Sequence, residues 1–340
     1  MSELSVIIPT FNRSGMLVEA INSVLRQETV RGLEIIVVDD GSTDDTSDLI
    51  AQFGDAVTYL KQTNAGVNAA RNLGIARSSG HLVAFLDDDD VWLPYKSAVQ
   101  IEALSRFPEA GFVFSDFFVW RGEKRSSGGL RGWQEAEWGM DTILAESPRV
   151  EYLDAGGERS VASYLCDIYG LSLVQPVVLP STAICRREAL QRVGPFPEFT
   201  SICGDWQFFA EMSRTCGAVY VDLETALNRS HDNVRLTRTD AAIRIRERLD
   251  MIERVWESSA RLDEILNSEL FETQGRLQEA LFRTHALAGR SESAIEVFGA
   301  MRKSGWRPGL KSYVLRTAIS FPRGGEALAI TRRALQGSND

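Results

Sequence analysis

Four short apolar runs, Leu4 to Pro9, Leu33 to Val38, Val57 to Leu60 and His81 to Leu86, alternate with stretches whose apolar residues recur at helical spacing. Alternation of strand and helix periods is the signature of βαβ units. It restricts the chain to an α/β architecture, a Rossmann-like and mainly parallel sheet flanked by helices. The second run is apolar from Ile35 to Val38, as a strand covered on both faces must be. Ser14 is placed to cap a helix from about Gly15 to Gln27, with Leu17, Ala20, Ile21, Val24 and Leu25 on one face. Further helices are expected from Asp44 to Phe53, from Val67 to Arg77, and after Pro94.

Polar clusters stand where three of these strands end: Pro9-Thr10-Phe11-Asn12, Asp39-Asp40-Gly41-Ser42 and Asp87-Asp88-Asp89-Asp90. In open α/β sheets, ligands bind outside the carboxyl ends of the strands, so three clusters on one rim build a single cleft. Four consecutive carboxylates repel one another, and a hard divalent cation held by carboxylate oxygens relieves that repulsion. A solvated acidic turn is the competing account of the run taken alone; the other two clusters favour the cation.

Beyond residue 110 the regularity weakens, and from about Trp120 to Glu158 the chain reads as a loop-rich, mobile segment. Order resumes with an apolar strand after Pro180-Ser181-Thr182, a short helix ending at Gly194-Pro195, a helix opening at Cys203-Gly204-Asp205-Trp206, and a last strand at Ala218 to Val221. From Asp240 onward the sequence is helical and carries no polar cluster resembling an active site. The expected division is an α/β domain over 1–238 and an all-α domain over 239–340, as a length of 340 residues suggests. A net charge of -10 argues against a general nucleic-acid binder. No apolar stretch approaches the ~20 residues of a membrane span, and Met1-Ser2-Glu3-Leu4 lacks a basic leader, so a cytoplasmic protein is expected. Cys166, Cys185, Cys203 and Cys216 match no zinc or redox spacing and are expected to be reduced.

Ser5-Val6-Ile7-Ile8-Pro9-Thr10-Phe11-Asn12-Arg13, Glu34 through Asp39-Asp40-Gly41-Ser42, the Gly66 to Gly74 stretch with Ala70-Arg71-Asn72, and Phe85 through Trp92 together resemble the family 2 nucleotide-sugar glycosyltransferases of the GT-A fold. The resemblance is strong over residues 3 to 110, weaker over 175 to 235, and absent from the last hundred. It implies inverting transfer of a sugar from a nucleotide-diphosphate donor, usually a UDP-sugar, with Mn²⁺ or Mg²⁺ as cofactor. On that likeness Asp40 contacts the base, and Pro9, Thr10, Phe11 and Asn12 form one wall of its pocket, with Phe11 either stacking on the base or packing in the core. Asp39 orders the turn; both acids would also serve as caps for the following helix. Asp87 and Asp88 fall on the ribose side, Asp89 is the metal ligand, and Asp90 makes a supporting hydrogen bond. Arg71 and Asn72 either support the diphosphate or, for Arg71, pair with the acidic run.

An inverting transfer needs a general base for the acceptor hydroxyl, and Asp205 is the candidate. The family shows Glu-Asp here, whereas this chain has Gly204-Asp205; the plain alternative is a helix N-cap. His231, in Arg229-Ser230-His231-Asp232-Asn233, either completes the metal shell or is a surface loop residue. Trp92 and Trp206 either stack on sugar rings or pack in the core. After residue 300 basic residues outnumber acidic ones and alternate with Trp306, Tyr313 and Leu315. That tail is expected to act as a peripheral membrane contact near a lipid-linked saccharide acceptor, or as a solvated bundle with a homodimer contact. The overall expectation is a metal-dependent transferase acting on a polysaccharide, oligosaccharide or glycolipid. A non-catalytic nucleotide-sugar binder or scaffold in a surface polysaccharide assembly system is the alternative.

Overall fold

The computed structural model describes residues 3–28, 32–133, 139–154, 160–200, 202–230, 240–257, 259–261 and 263–320. The chain divides into two compact units, Met1–Asn233 and Val234–Asp340. The first begins β1 (Leu4–Thr10), α1 (Ser14–Leu25), β2 (Leu33–Asp39), α2 (Thr46–Ala51), β3 (Thr58–Lys61), α3 (Val67–Arg77) and β4 (Leu82–Phe85). It continues with β5 (Val91–Trp92), α4 (Lys96–Arg106), β6 (Ala110–Arg121), β7 (Lys124–Ser126), α5 (Met140–Ala145), β8 (Arg149–Asp154) and β9 (Ser160–Cys166). It closes with α6 (Leu171–Val174), β10 (Ile184–Arg186), α7 (Arg187–Val193), α8 (Gly204–Thr215) and β11 (Gly217–Arg229).

The strands form one mixed sheet in the order β3-β2-β1-β4-β10-β6-β11-β9-β8. Only β10 and β9 oppose the common direction along that path. The order reverses between β1 and β4, which opens the crevice of a doubly wound sheet at their carboxyl ends. Every residue of β1 is buried, because α1 covers one face with Leu17, Ala20, Ile21 and Val24. On the other face α3 packs Ala70 against Ile36 and Val38. Each such aliphatic side chain taken from water contributes about 1.5–3 kcal/mol. A Cβ at Gly74 would lie 2.4 Å from Ile7 Cγ2, so the glycine lets α3 lie close to β1.

Three local expectations are corrected. Ser14 does not cap α1 but is its first residue; its hydroxyl donates to Asp45 and its N–H to Asp44 Oδ2 at 3.3 Å, so the turn after β2 serves that helix end. The segment from Trp120 to Glu158, expected to be loop, contains β7, α5 and β8, whose partners β6 and β9 supply the hydrogen bonds. The last strand runs from Gly217 to Arg229 because it pairs along nearly all of β6, across register shifts.

The second unit comprises α9 (Ala241–Ile252), a π-helical turn at Glu253–Glu257, α10 (Glu264–Leu287), α11 (Ser291–Lys303) and α12 (Leu310–Ala318). Its core joins Phe282, Ala286, Ala294, Phe298, Met301, Leu315 and Ile319. Glu279 on α10 accepts hydrogen bonds from Gly309 N at 3.0 Å and Ser312 Oγ at 2.6 Å, anchoring the start of α12. No described helix is both long and apolar enough to cross a membrane. The basic tail residues Arg323, Arg332 and Arg333 lie outside the described residues.

Within this unit His285 is 6% exposed and neither ring nitrogen has a hydrogen-bond partner. Burial lowers its pKa from 6.5, reinforced by Arg290 and Arg246 and opposed by Asp240. The unfolded chain therefore takes up this proton first, and the stability contributed by neutral His285 is lost as pH falls through 6.5. Melting temperatures of the full chain at pH 7.5, 6.5 and 5.5 should fall with acidification, and His285→Gln should flatten that slope. An unchanged slope in the variant assigns the acid sensitivity elsewhere.

Candidate active site

The ends of β1, β2 and β4 form one rim, with Thr10 in register with Asp39 and Ile7 with Phe85. Across it Thr10 Oγ1 donates to Asp88 Oδ2 at 2.8 Å, so two of the clusters meet directly. The charge of the acidic run is met first by guanidinium groups. Arg13 Nη1 reaches Asp88 Oδ1 at 2.9 Å and Asp89 Oδ2 at 3.1 Å, and Arg71 Nη2 reaches Asp87 Oδ1 at 2.6 Å. The structural pairing open to Arg71 is therefore present. Burial pushes the Asp88 carboxyl up to about 6, with Arg13 pulling it down and Asp89 adding to the rise. Arg13 had no assigned role in the sequence; its place directly after the first cluster was the available signal.

Asp90 has turned inward and is fully buried. It accepts from Ser181 Oγ at 2.6 Å, Asn228 Nδ2 at 3.0 Å and Arg229 N at 3.2 Å. Ser181 Oγ also accepts from Asp87 N at 3.1 Å, so one serine ties the acidic turn to the 180–182 turn. Asp90→Ala strands the buried Ser181 hydroxyl and frees two half-buried donors, a buried unmet group costing about 1–3 kcal/mol. Chemical denaturation should show a loss of at least about 2 kcal/mol, whereas a purely exposed acidic turn would lose almost nothing.

The second cluster is held as tightly. Asp39 accepts from Ser42 N at 2.7 Å and Tyr59 Oη at 2.5 Å, with Lys61 Nζ at 3.4 Å, and these hydrogen bonds hold its carboxyl low against the opposing effect of burial. Asp40 accepts from Gln62 Nε2 at 2.7 Å, Ala65 N at 2.8 Å and Gly66 N at 2.8 Å. Its carboxylate thus fixes the loop that leads into α3 rather than capping α2. Asn12, at φ 53°, accepts at its side-chain oxygen from Thr43 N at 2.8 Å, which braces the first cluster against the second. Pro9 is buried in β1. Phe11 is 45% exposed, so of its two readings the core one is excluded.

Asp205 lies in the first turn of α8, with Cys203 as the capping position, so it is not the N-cap. Its Oδ1 accepts from Trp206 N at 2.7 Å. Burial raises its pKa and Arg71 opposes the rise. Arg71 is ion-paired with Asp87 and its charge also acts on Asp205, so the strand-end carboxylates and the start of α8 share the field of one guanidinium. A Cβ at Gly204 would lie 2.0 Å from Asn68 Nδ2. That amide donates to Pro197 O at 2.9 Å and Thr200 O at 3.2 Å, so Asn68 occupies the space an acidic side chain at 204 would need. Asn72, expected beside a diphosphate, instead binds Phe196 O at 2.9 Å and Glu198 Oε1 at 2.8 Å. Trp92 is 2% exposed, donates to Ser181 O at 2.8 Å and carries Lys96 Nζ 4.5 Å over its ring; it is a core residue. Trp206 is half-buried and donates to Ser172 O at 2.6 Å. His231 lies outside the described residues.

Among the described residues no three His, Cys, Asp or Glu side chains converge as a metal cage. The rim offers Asp87 and Asp89 instead, 27% and 14% exposed. This donor set fits a hard cation that takes one or two carboxylates, keeps waters and completes its shell from substrate phosphates.

Residues 5–143 match the Glycosyl transferase family 2 model. An uncharacterized glycosyltransferase of Rickettsia conorii is 45% identical over 116 residues, 34% of this chain, and the matched stretch spans only 18% of that protein. The fold resembles Staphylococcus aureus TarS 1-349 in complex with UDP-GlcNAc, at TM-score 0.61 and 16% identity, over 98% of this chain and 92% of that one. It also resembles the mannosyltransferase PcManGT of Pyrobaculum calidifontis in complex with GDP-Man and Mn²⁺, at TM-score 0.56 and 18% identity, over 96% of this chain and 86% of that one.

Proposed function

The chain belongs to glycosyl transferase family 2 through residues 5–143, and from that premise we propose that its cleft transfers a sugar, with inversion, from a nucleotide-diphosphate donor to a saccharide hydroxyl. The observation that carries the reading is Arg71, paired with Asp87 at 2.6 Å and opposing the burial-raised pKa of Asp205. It supports a cleft in which the charge of one guanidinium bears on both the carboxylate assigned to the donor side and the one assigned to the acceptor side.

The donor's base lies along the wall formed by Pro9, Thr10, Phe11 and Asn12, where the exposed Phe11 ring offers a stacking face. Asp40 fixes the loop that leads into α3, and its base contact is made through an oxygen it already shares with backbone N–H groups. Asp87 and Asp88 take the ribose side, and Asp89 holds Mn²⁺ or Mg²⁺. When bound, that ion supplies Lewis-acid stabilisation of the departing diphosphate. Asp205 accepts the proton of the acceptor hydroxyl as its oxygen bonds to the anomeric carbon and the bond to the diphosphate breaks. A carboxylate with a raised pKa is the better base for this step. PcManGT bound to GDP-Man and Mn²⁺, and TarS bound to UDP-GlcNAc, are the precedents for donor and ion.

Calorimetry of the full chain against UDP, GDP and dTDP, each with and without Mn²⁺, tests the reading. Manganese-dependent binding of one nucleotide is expected. Absence of binding by all three, with the protein folded, would favour a scaffold without donor chemistry.

A further inference from the structure

The loop after α7 and the outward face of α8 flank an open cavity of ≈ 450 Å³ lined by none of the rim carboxylates, with Arg71 lying 5.4 Å over the ring of its lining residue Phe196. Beneath it Phe196 and Phe208, each 1% exposed, stack at 3.7 Å between centroids and 13° between planes. Phe199, 66% exposed, stands at its edge. Gln207 lines the cavity, is 9% exposed, and its side-chain oxygen has no hydrogen-bond partner. A buried amide oxygen left unmet is costly, and turning the amide toward the cavity would let a hydroxyl donor meet it. The terminal amide torsion is broad, so either amide atom can be turned toward a ligand.

The rim chemistry narrows the ligand. Glu198 already accepts from Asn72, and Arg214 is paired with Glu211 at 2.5 Å. Two carboxylates against one guanidinium leave the mouth negative, which disfavours phosphates, nucleotides and acidic sugars. The exposed Phe199 ring beside a few convergent polar groups suits a neutral, hydroxyl-bearing ring. Gln207 follows Asp205 by two residues on α8, so the two side chains leave the helix on different faces. The cavity begins within about one helical turn of the base.

We propose that this cavity is a secondary saccharide-binding site, which holds a neutral sugar unit of the acceptor chain away from the reacting hydroxyl. It rests on the transferase reading for its biological sense but not for its test. Saturation-transfer NMR on the full chain, with cellobiose, maltose, lactose and N,N′-diacetylchitobiose, reads it directly. At least one disaccharide should receive saturation that UDP with Mn²⁺ does not displace. Phe199→Ala and Gln207→Leu should each weaken that binding about five-fold and leave the nucleotide titration unchanged. Saturation of none of the four overturns the site, as does displacement by UDP or indifference to both substitutions. Failure of the transferase reading would show instead in the nucleotide titration.

Discussion

Asp205→Asn leaves nucleotide-diphosphate affinity within about two-fold and lowers sugar transfer by roughly 10²–10⁴, the span that general-base catalysis commands. Asn keeps the shape of the side chain and still accepts from Trp206 N, the contact seen at 2.7 Å. It cannot take a proton. In the wild-type protein kcat/KM should fall as pH drops through a pKa raised above 3.8, because burial disfavours the carboxylate more than Arg71 restores it. That acid limb should vanish in the variant, leaving a flat residual rate. Near-normal turnover in Asp205→Asn would remove this residue from the chemistry and reduce it to a charge partner of Arg71.

The second large effect belongs to Asp89→Asn. Wild-type protein should bind UDP or GDP more tightly with Mn²⁺ than without, and the substitution should abolish that increment while leaving metal-free binding in place. Transfer should fall at least about 10²-fold, since Lewis-acid stabilisation of the leaving group amounts to several kcal/mol. Folding should hardly suffer, because Arg13 keeps its 2.9 Å contact with Asp88. The contrast with Asp90→Ala is the useful one, since neighbours in the same acidic run are expected to fail in opposite ways, one in ligand affinity and the other in stability. Persistence of the manganese increment in Asp89→Asn would move the ion to another carboxylate, with Asp87 the first to try.

The parallel half of the sheet was legible because its signals are local. The apolar runs, helical spacing and polar strand ends all lie within a few residues of one another, and α3 spans Val67–Arg77 as the spacing predicts. The distal half was not, because β7 is a short, fully exposed return from β6, β8 pairs among the described residues only with β9, and β9 leans on β11 from much further along the chain. β8 is mostly exposed, so it carries no apolar run to announce it. Within the site, chemistry was readable where it depends on residue type at a strand end, as in Asp87 to Asp90. The counter-charges were less so. That Arg13 reaches two carboxylates and that Asn68 fills the space beside Gly204 are facts of side-chain direction, which no spacing rule encodes.

Asn68 and Gly204 therefore form a matched pair whose two positions are not independent in descent. With a Cβ at 204 only 2.0 Å from the Asn68 amide, a side chain gained there turns residue 68 aside and takes from it the hydrogen bonds to Pro197 O and Thr200 O. A change at either position therefore alters what the other can hold.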